Sequence, residues 1–169
     1  MNENPERWSI ELEKEYFKFS AAHFLIFPDG SAERLHGHNY RVRVRLGAEL
    51  SRYGLVLDFK MVKPVVREIC DRLDEHWIVP GEHAELRVER RAEGSIEVSY
   101  RGKRYMAPEE DVIVLPMNNT SSENLAAWFG RELLAELARR FPDVHATELE
   151  VAVEETAGQR GVWRRGASA

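Results

Sequence analysis

Residues 36–46 carry the pattern that most limits how this chain can fold. Every second residue from position 36 is histidine, tyrosine or aliphatic, and most of the residues between them are arginine or asparagine. Successive side chains of a β-strand point to opposite faces, so this alternation predicts a strand with one buried face. Residues 10–25 alternate similarly, with a change of phase near Tyr16 and Phe17 that predicts a bulge.

Two later segments have helical periodicity. Asp58 can cap a helix that extends to about Leu73, and the capping box of residues 120–123 opens a second helix that ends near Phe141. Residues 80–115 contain short alternating runs broken by turns, which predict inserted strands or a hairpin. The parity of residues 149–155 predicts a last strand.

Length and composition exclude several classes of protein. The 169 residues fit one domain, which we take to span 1–169 with an insertion at 80–115. The net charge of −5 disfavours nucleic-acid and membrane partners. Cys70 is the single cysteine, so we expect no internal disulfide and a reducing compartment. Because there is neither a spanning apolar run nor a secretory pattern at the start, we expect a cytoplasmic protein.

Three arginines share the polar face of the second strand. Arg41, Arg43 and Arg45 could line a groove for a triphosphate or a nucleic acid. Pairing with Glu11, Glu13 or the acidic face of the last strand explains them more simply, because opposite charges on neighbouring strands stabilise each other.

Three histidines lie on the apolar parities of the predicted strands. His36 and His38 share the face of Tyr40, and His23 ends the apolar parity of the preceding strand. If the two strands pair antiparallel, the three imidazoles can converge. Three neutral histidines without a fourth protein ligand are typical of a catalytic zinc site, although other divalent metals accept the same ligands. The alternative is that they are hydrogen-bonded core or surface histidines.

Glu155 continues the apolar parity of the last strand. A carboxylate at such a position requires a partner, and a heterocycle with two adjacent N–H donors could pair with both of its oxygens. A strand end that reaches solvent, with a loop beginning at Thr156, explains the residue equally well.

Several segments together resemble the 6-pyruvoyl-tetrahydropterin synthase family, which includes the bacterial 6-carboxytetrahydropterin synthases. The resemblance covers most of the chain and rests on Phe19-Ser-Ala-Ala-His23, Leu35-His-Gly-His-Asn-Tyr40, Gly54-Leu-Val-Leu-Asp-Phe-Lys60, Asn119-Thr-Ser-Ser-Glu-Asn-Leu125 and Val151-Ala-Val-Glu-Glu-Thr156. It implies that His23, His36 and His38 are zinc ligands.

The resemblance also implies a fold, an assembly and a substrate. The fold is an α+β tunnelling fold, in which a four-stranded antiparallel sheet with two helices on one face assembles into a barrel. We therefore expect a homo-oligomer, commonly a hexamer of two trimers, with sites at subunit interfaces. The substrate is typically 7,8-dihydroneopterin triphosphate. By the same match Glu155 anchors the pterin and joins the catalytic relay, while Ser121 and Ser122 lie near the pterin ring.

The chain departs from the family at the catalytic base. The usual base is a cysteine four residues before the His-Gly-His motif, where this chain has Ala32. Glu33 is the candidate substitute, and it resembles a branch of the family in which a glutamate replaces the cysteine and the pterin side chain is cleaved. The alternative is a solvated loop residue that pairs with Arg34 or with nothing. Cys70 lies on a helical apolar stripe, where a buried, inert thiol is expected.

A second departure affects the relay. The family's Leu-Asp-His motif appears here as Leu73-Asp74-Glu75-His76. Either His76 or Glu75 fills the relay, or it is reduced to Asp74 and Glu155.

We therefore predict a zinc-dependent pterin lyase that converts 7,8-dihydroneopterin triphosphate to 6-hydroxymethyl-7,8-dihydropterin, with Glu33 as base. One alternative is triphosphate elimination toward 6-pyruvoyl- or 6-carboxytetrahydropterin on a base other than cysteine. Another is a pterin-binding oligomer without catalytic activity.

Overall fold

The computed structural model describes residues 6–166. The elements in chain order are β1 (Ser9–His23), β2 (His36–Ala48), α1 (Phe59–Leu73), β3 (His76–Pro80), β4 (Arg87–Arg90), β5 (Ser95–Tyr100), β6 (Lys103–Pro108), a single 3-10 turn (Glu109–Asp111), β7 (Val112–Leu115), α2 (Ser122–Arg140), β8 (Ala146–Thr156) and β9 (Gln159–Gly166). Residues 1–5, on which the expectation about a secretory leader partly rests, lie outside the described residues. Neither described helix is long and apolar enough to cross a membrane.

The first two strands form the centre of the fold. β1 and β2 pair antiparallel, and the register shifts between Glu13 and Lys18, which confirms the predicted bulge. The shift lets both halves of β1 turn apolar side chains to the same core. At the end of the pair, His23 lies directly opposite His36.

Both helices cover the same face of this sheet, as expected for the α+β fold. One continuous core joins that face to the apolar stripes of α1 and α2. α1 begins where the Asp58 side chain accepts a hydrogen bond from the Lys60 amide. α2 begins one residue later than the predicted capping box implies, because Ser121 is its N-cap while the Thr120 hydroxyl donates to the Phe24 carbonyl.

The main sheet has six strands rather than the expected four, and it is mixed rather than purely antiparallel. Its order is β7-β3-β1-β2-β8-β9. β3 pairs parallel with β1, and β7 pairs parallel with β3, so the strands on either side of residues 81–111 extend the sheet. At the other edge β9 returns along β8 after a turn in which Gly158 has a φ of 83°. Gly130 of α2 leaves room for Trp163, since a side chain there would collide with the indole.

Residues 87–108 form strands, as the short alternating runs predict. β4, β5 and β6 form a separate three-stranded antiparallel sheet. Its apolar residues share a second core with the segment after β1, β3 and the start of β7, namely Phe24, Ile26, Trp77, Val79, Leu86, Ile96, Val98, Tyr100 and Val112. The small sheet is therefore fixed beside the end of β1.

Two of the three arginines of β2, Arg43 and Arg45, form the ion pairs that the simpler interpretation predicted, whereas Arg41 forms none within residues 6–166. Arg43 lies 2.8 Å from Glu13 on one side and 3.8 Å from Glu154 on the other. Arg45 lies 3.8 Å from Glu11 and 3.3 Å from the β8 carboxylate of Glu148. We call these residues, with Arg164 and its partner Glu150, the charge ladder.

Candidate active site

The three predicted histidines converge where β1 ends and β2 begins. His23 pairs with His36, and His38 pairs with Ala21, so the alternation places all three rings on the helix-covered face. One ring nitrogen from each lies within 4.8 Å of those of the other two. His23 is fully buried, while His36 is exposed. The cluster can therefore offer three nitrogen ligands and remain open to solvent on one side.

Backbone carbonyls orient two of these rings. His23 Nδ1 lies 3.1 Å from the Thr120 carbonyl oxygen, and His36 Nδ1 lies 2.8 Å from that of Arg34. A carbonyl accepts, so each Nδ1 carries the proton and each Nε2 keeps a lone pair. Burial lowers the pKa of His23, which favours the neutral form that metals require. Within residues 6–166 its buried Nε2 makes no hydrogen bond, an arrangement that fits a bound divalent cation.

Glu155 turns toward the histidines instead of into solvent. Its Oε1 atom lies 3.0 Å from His23 Nε2 and 3.3 Å from His38 Nε2, and the side chain is 23% exposed. The carboxylate borders the histidine cluster, and part of it remains accessible for a ligand. Of the two interpretations of this residue, the geometry favours a binding role.

Glu33 also faces the cluster. Its Oε2 atom accepts a hydrogen bond from the Leu25 amide at 3.1 Å and lies 3.9 Å from His36 Nε2. Ala32, at the position of the family's cysteine, forms a bridge with Ile26. The two paired segments make a tight hairpin between His23 and β2. Glu33 is therefore held by its own hairpin rather than being a solvated loop residue.

The three relay candidates lie beside β1. Asp74 ends α1, and its Oδ1 atom accepts from the Ser20 amide at 2.6 Å. His76 Nδ1 lies 2.7 Å from the Asp74 carbonyl oxygen. Glu75 has a φ of 60°, a left-handed conformation that is unusual for a residue with a side chain.

Glu75 and His76 line a groove of about 600 Å³ together with His38. Within the described range 6–166, no hydrogen bond or ion pair joins Asp74, Glu75 or His76 to either Glu33 or Glu155. The described residues of the chain therefore bring together the histidines and two carboxylates, but they do not complete a relay.

Ser121 and Ser122 lie at the start of α2. The Ser121 hydroxyl accepts from the Asn124 amide, so it caps the helix. The backbone of Ser122 lies against Gly161, where a side chain would collide with it. Both serines are partly exposed and follow Thr120, whose carbonyl orients His23.

Sequence reasoning missed several residues that support the site. Asn119 accepts from the Ile26 amide and donates to its carbonyl, which attaches the start of α2 to the segment after β1. The buried Tyr40 hydroxyl has no hydrogen-bond partner in the part of the chain that the structure describes. Burial, followed by the nearby Glu155 carboxylate, raises the pKa of Tyr40. Its parity with the histidines was the available signal for Tyr40, and Asn119 opens one of the segments that carry the family resemblance.

Comparison with known proteins agrees with this architecture. The sequence pattern of the 6-pyruvoyl tetrahydropterin synthase family matches residues 11–165. The chain belongs to this family. It is 36% identical over 149 residues to a Methanocaldococcus jannaschii protein provisionally named 6-carboxy-5,6,7,8-tetrahydropterin synthase, covering 88% of this chain and 90% of that protein. Membership makes the chain an enzyme of pterin metabolism.

Solved structures of the family superpose closely. The 6-pyruvoyl tetrahydropterin synthase of Plasmodium vivax is 29% identical, with a TM-score of 0.88 and coverage of 96% of this chain and 99% of that one. A variant of the Plasmodium vivax enzyme, with a glutamate described as a catalytic residue replaced by alanine, matches at 28% identity and the same TM-score and coverage.

Proposed function

We propose that this pterin enzyme is a zinc-dependent lyase that cleaves the side chain of 7,8-dihydroneopterin triphosphate to yield 6-hydroxymethyl-7,8-dihydropterin, with Glu33 as the base. The observation that carries the proposal is the position of the Glu33 carboxylate, 3.9 Å from His36 Nε2 in a chain with alanine where the family's cysteine stands. The glutamate described as a catalytic residue of the Plasmodium vivax enzyme supports a catalytic role for a glutamate in this fold.

His23, His36 and His38 would hold the zinc. One ring nitrogen from each lies within 4.8 Å of those of the other two. The buried His23 Nε2, which has no hydrogen-bond partner within residues 6–166, is suited to be a metal ligand. When bound, zinc would supply Lewis-acid polarisation of the substrate's side-chain oxygens.

Glu33 is proposed to accept the proton of the hydroxyl on the second side-chain carbon. The bond between the first and second carbons then breaks, the second carbon becomes an aldehyde that keeps the triphosphate, and the electron pair passes to the pterin. The first carbon then takes up a proton and keeps its hydroxyl. Glu155 would orient the ring by accepting two of its N–H groups. Cys70 has no part in this step, because burial raises its pKa to about 12.

The proposal includes an oligomeric assembly of the chain. The family's homo-hexamer of two trimers, with sites at subunit interfaces, would explain why the relay candidates make no described hydrogen bond or ion pair with Glu33 or Glu155 inside one subunit. We propose the same arrangement here, in a cytoplasmic protein. Sedimentation velocity of the purified chain checks the oligomer.

Product analysis tests the reaction. Zinc-loaded protein is incubated anaerobically with 7,8-dihydroneopterin triphosphate, and the pterins are identified by mass. We expect mainly 6-hydroxymethyl-7,8-dihydropterin, with kcat reduced roughly 10²- to 10⁴-fold in Glu33→Ala, the range of general-base catalysis. Glu49→Ala, which changes an exposed carboxylate at the end of β2, is the matched control and should keep full activity.

Triphosphate elimination is the second candidate, and the similarity to the Methanocaldococcus jannaschii protein favours it. A 6-pyruvoyl or 6-carboxy product would establish that reaction. Tight pterin binding with unchanged substrate would instead identify a binding protein without catalytic activity.

A further inference from the structure

The small sheet β4–β6 reaches the hairpin that carries Glu33. The Lys103 ammonium, at the start of β6, donates to the carbonyl oxygens of Ala32 at 3.0 Å and Glu33 at 3.3 Å. The Tyr100 hydroxyl donates to the Gly30 carbonyl oxygen at 3.0 Å. The insertion thus contacts the backbone of the hairpin at its turn and again beside the proposed base.

Aromatic packing and ion pairs hold the small sheet itself in place. Tyr105 of β6 stacks on Phe24, the residue after the metal-ligand candidate His23, with ring centroids 5.6 Å apart. On the same small sheet, Glu97 receives hydrogen bonds from Arg91 and Arg104. A lysine on such a support can therefore hold a loop in place.

Glu33 is held from two opposite sides. Inside the hairpin, its amide donates to the Leu25 carbonyl at 3.0 Å, and its carboxylate accepts from the Leu25 amide. From outside, the two carbonyls are bound by one ammonium. A cation that donates to two carbonyls forms stronger hydrogen bonds than a neutral donor would. The peptide groups on both sides of Glu33 are therefore fixed.

We infer that Lys103 is a positioning residue for Glu33 and that the inserted small sheet serves to hold this base against the histidine cluster. The inference rests on the proposed function of Glu33. Lys103 acts through the backbone and does not touch the reacting atoms.

The test is a double-mutant cycle by single-turnover kinetics. Lys103→Met is expected to lower the rate roughly 10- to 100-fold, because small displacements of a catalytic group have effects of that size. KM and bound zinc per subunit should not change, and Lys103→Arg should restore most of the rate. In the Glu33→Ala background, Lys103→Met should cause no further loss. Arg87→Met, at an exposed position of β4, is the matched control and should match the unsubstituted chain.

Hydrogen exchange provides a readout independent of turnover. The Glu33 amide should exchange faster in Lys103→Met than in Arg87→Met, because the hairpin loses its outer attachment. Unchanged exchange and an unchanged rate in Lys103→Met would overturn the inference while leaving Glu33 as the base. An equal loss of rate with and without Glu33 would overturn it as well. A Glu33→Ala chain with full activity would instead overturn the proposed function and this inference together.

Discussion

The same strands build two polar regions that differ in how completely their groups are paired. On the helix-free face, the ladder residue Arg43 has carboxylates on both sides, at 2.8 Å from Glu13 and 3.8 Å from Glu154. At the end of the same strands, on the other face, the buried His23 Nε2 has no hydrogen-bond partner within residues 6–166, and an oxygen of the partly exposed Glu155 lies 3.0 Å from it. The ladder pairs opposite charges, whereas the histidine cluster sets a carboxylate oxygen against a nitrogen that keeps its lone pair.

This difference separates structural polar groups from functional ones. Paired groups gain little from a further ligand, because each already has its partner. A buried nitrogen without a partner carries a cost that a bound cation can remove. The position of the unpaired atoms, rather than the number of charges, therefore marks the site.

Removing one of the proposed zinc ligands should have the largest effect on turnover. His36→Ala is expected to lose zinc and to reduce turnover to the background, because two imidazoles cannot complete a site of this kind. Bound zinc is measured by atomic absorption beside the product assay. His145→Ala, at an exposed histidine before β8, is the control. Full zinc and full activity in His36→Ala would show that the metal assignment is wrong.

Two adjacent carboxylates of β8 allow the most direct comparison. Glu155→Gln should lower kcat/KM by roughly 10- to 100-fold, since it removes a charged acceptor from the proposed pterin contact. Glu154→Gln changes the neighbouring carboxylate, which faces Arg43 in the ladder and Arg160 of β9, and should leave kcat/KM unchanged. Both are measured by steady-state kinetics with matched zinc content. Equal effects in the two variants would abolish the distinction between the regions.

Removing a hydrogen bond beside the carbonyl that orients His23 should have a smaller effect, on the affinity for zinc. Thr120→Val removes the hydroxyl that donates to the Phe24 carbonyl at 2.9 Å, next to the carbonyl that orients His23. We expect the Kd for zinc to rise about tenfold, as for other groups that orient metal-bound histidines. Competition with a chromogenic chelator measures it, with Thr147→Val on β8 as control. An unchanged Kd would mean that Thr120 does not position His23.

Changing the ladder should have the smallest effect. Arg45→Gln removes two exposed ion pairs, one of 3.3 Å to Glu148 and one of 3.8 Å to Glu11. Each exposed pair contributes about 0.2 to 1 kcal/mol, so the free energy of unfolding in urea should fall by no more than about 2 kcal/mol. Activity should not change. A large loss of turnover would assign the ladder a role in the reaction.

Local periodicity was enough to predict the main elements. The alternation of β1 and β2 gave their buried faces and the bulge, and helical spacing gave α1 and α2, because one face of each element meets the core. The same parity brought His23 to His36 and His38. For Glu155 and Glu33 the sequence allows two interpretations each, because it does not show the direction in which a carboxylate side chain points.

Contacts between distant segments were not predictable. The addition of β3, β7 and β9 to the sheet depends on pairing with strands remote in the chain, which short apolar runs do not specify. Thr120 does not cap α2, because its hydroxyl donates to the carbonyl of Phe24, a residue remote in the chain. Lys103 meets the carbonyls beside Glu33 only after the small sheet has formed, so its own neighbours in the sequence carry no sign of that contact.

The hairpin that joins β1 to β2 also bears on the order in which the site assembles. His23 and His36 face each other across the end of one strand pair, so only the short loop of residues 24–35 must close to bring them together. A short closure costs less chain entropy than a long one. Glu155 reaches the histidines only when β8, near the other end of the chain, pairs with β2. A zinc ion present during synthesis or refolding could therefore be captured by the first hairpin, before the carboxylate proposed to recognise the pterin is in place.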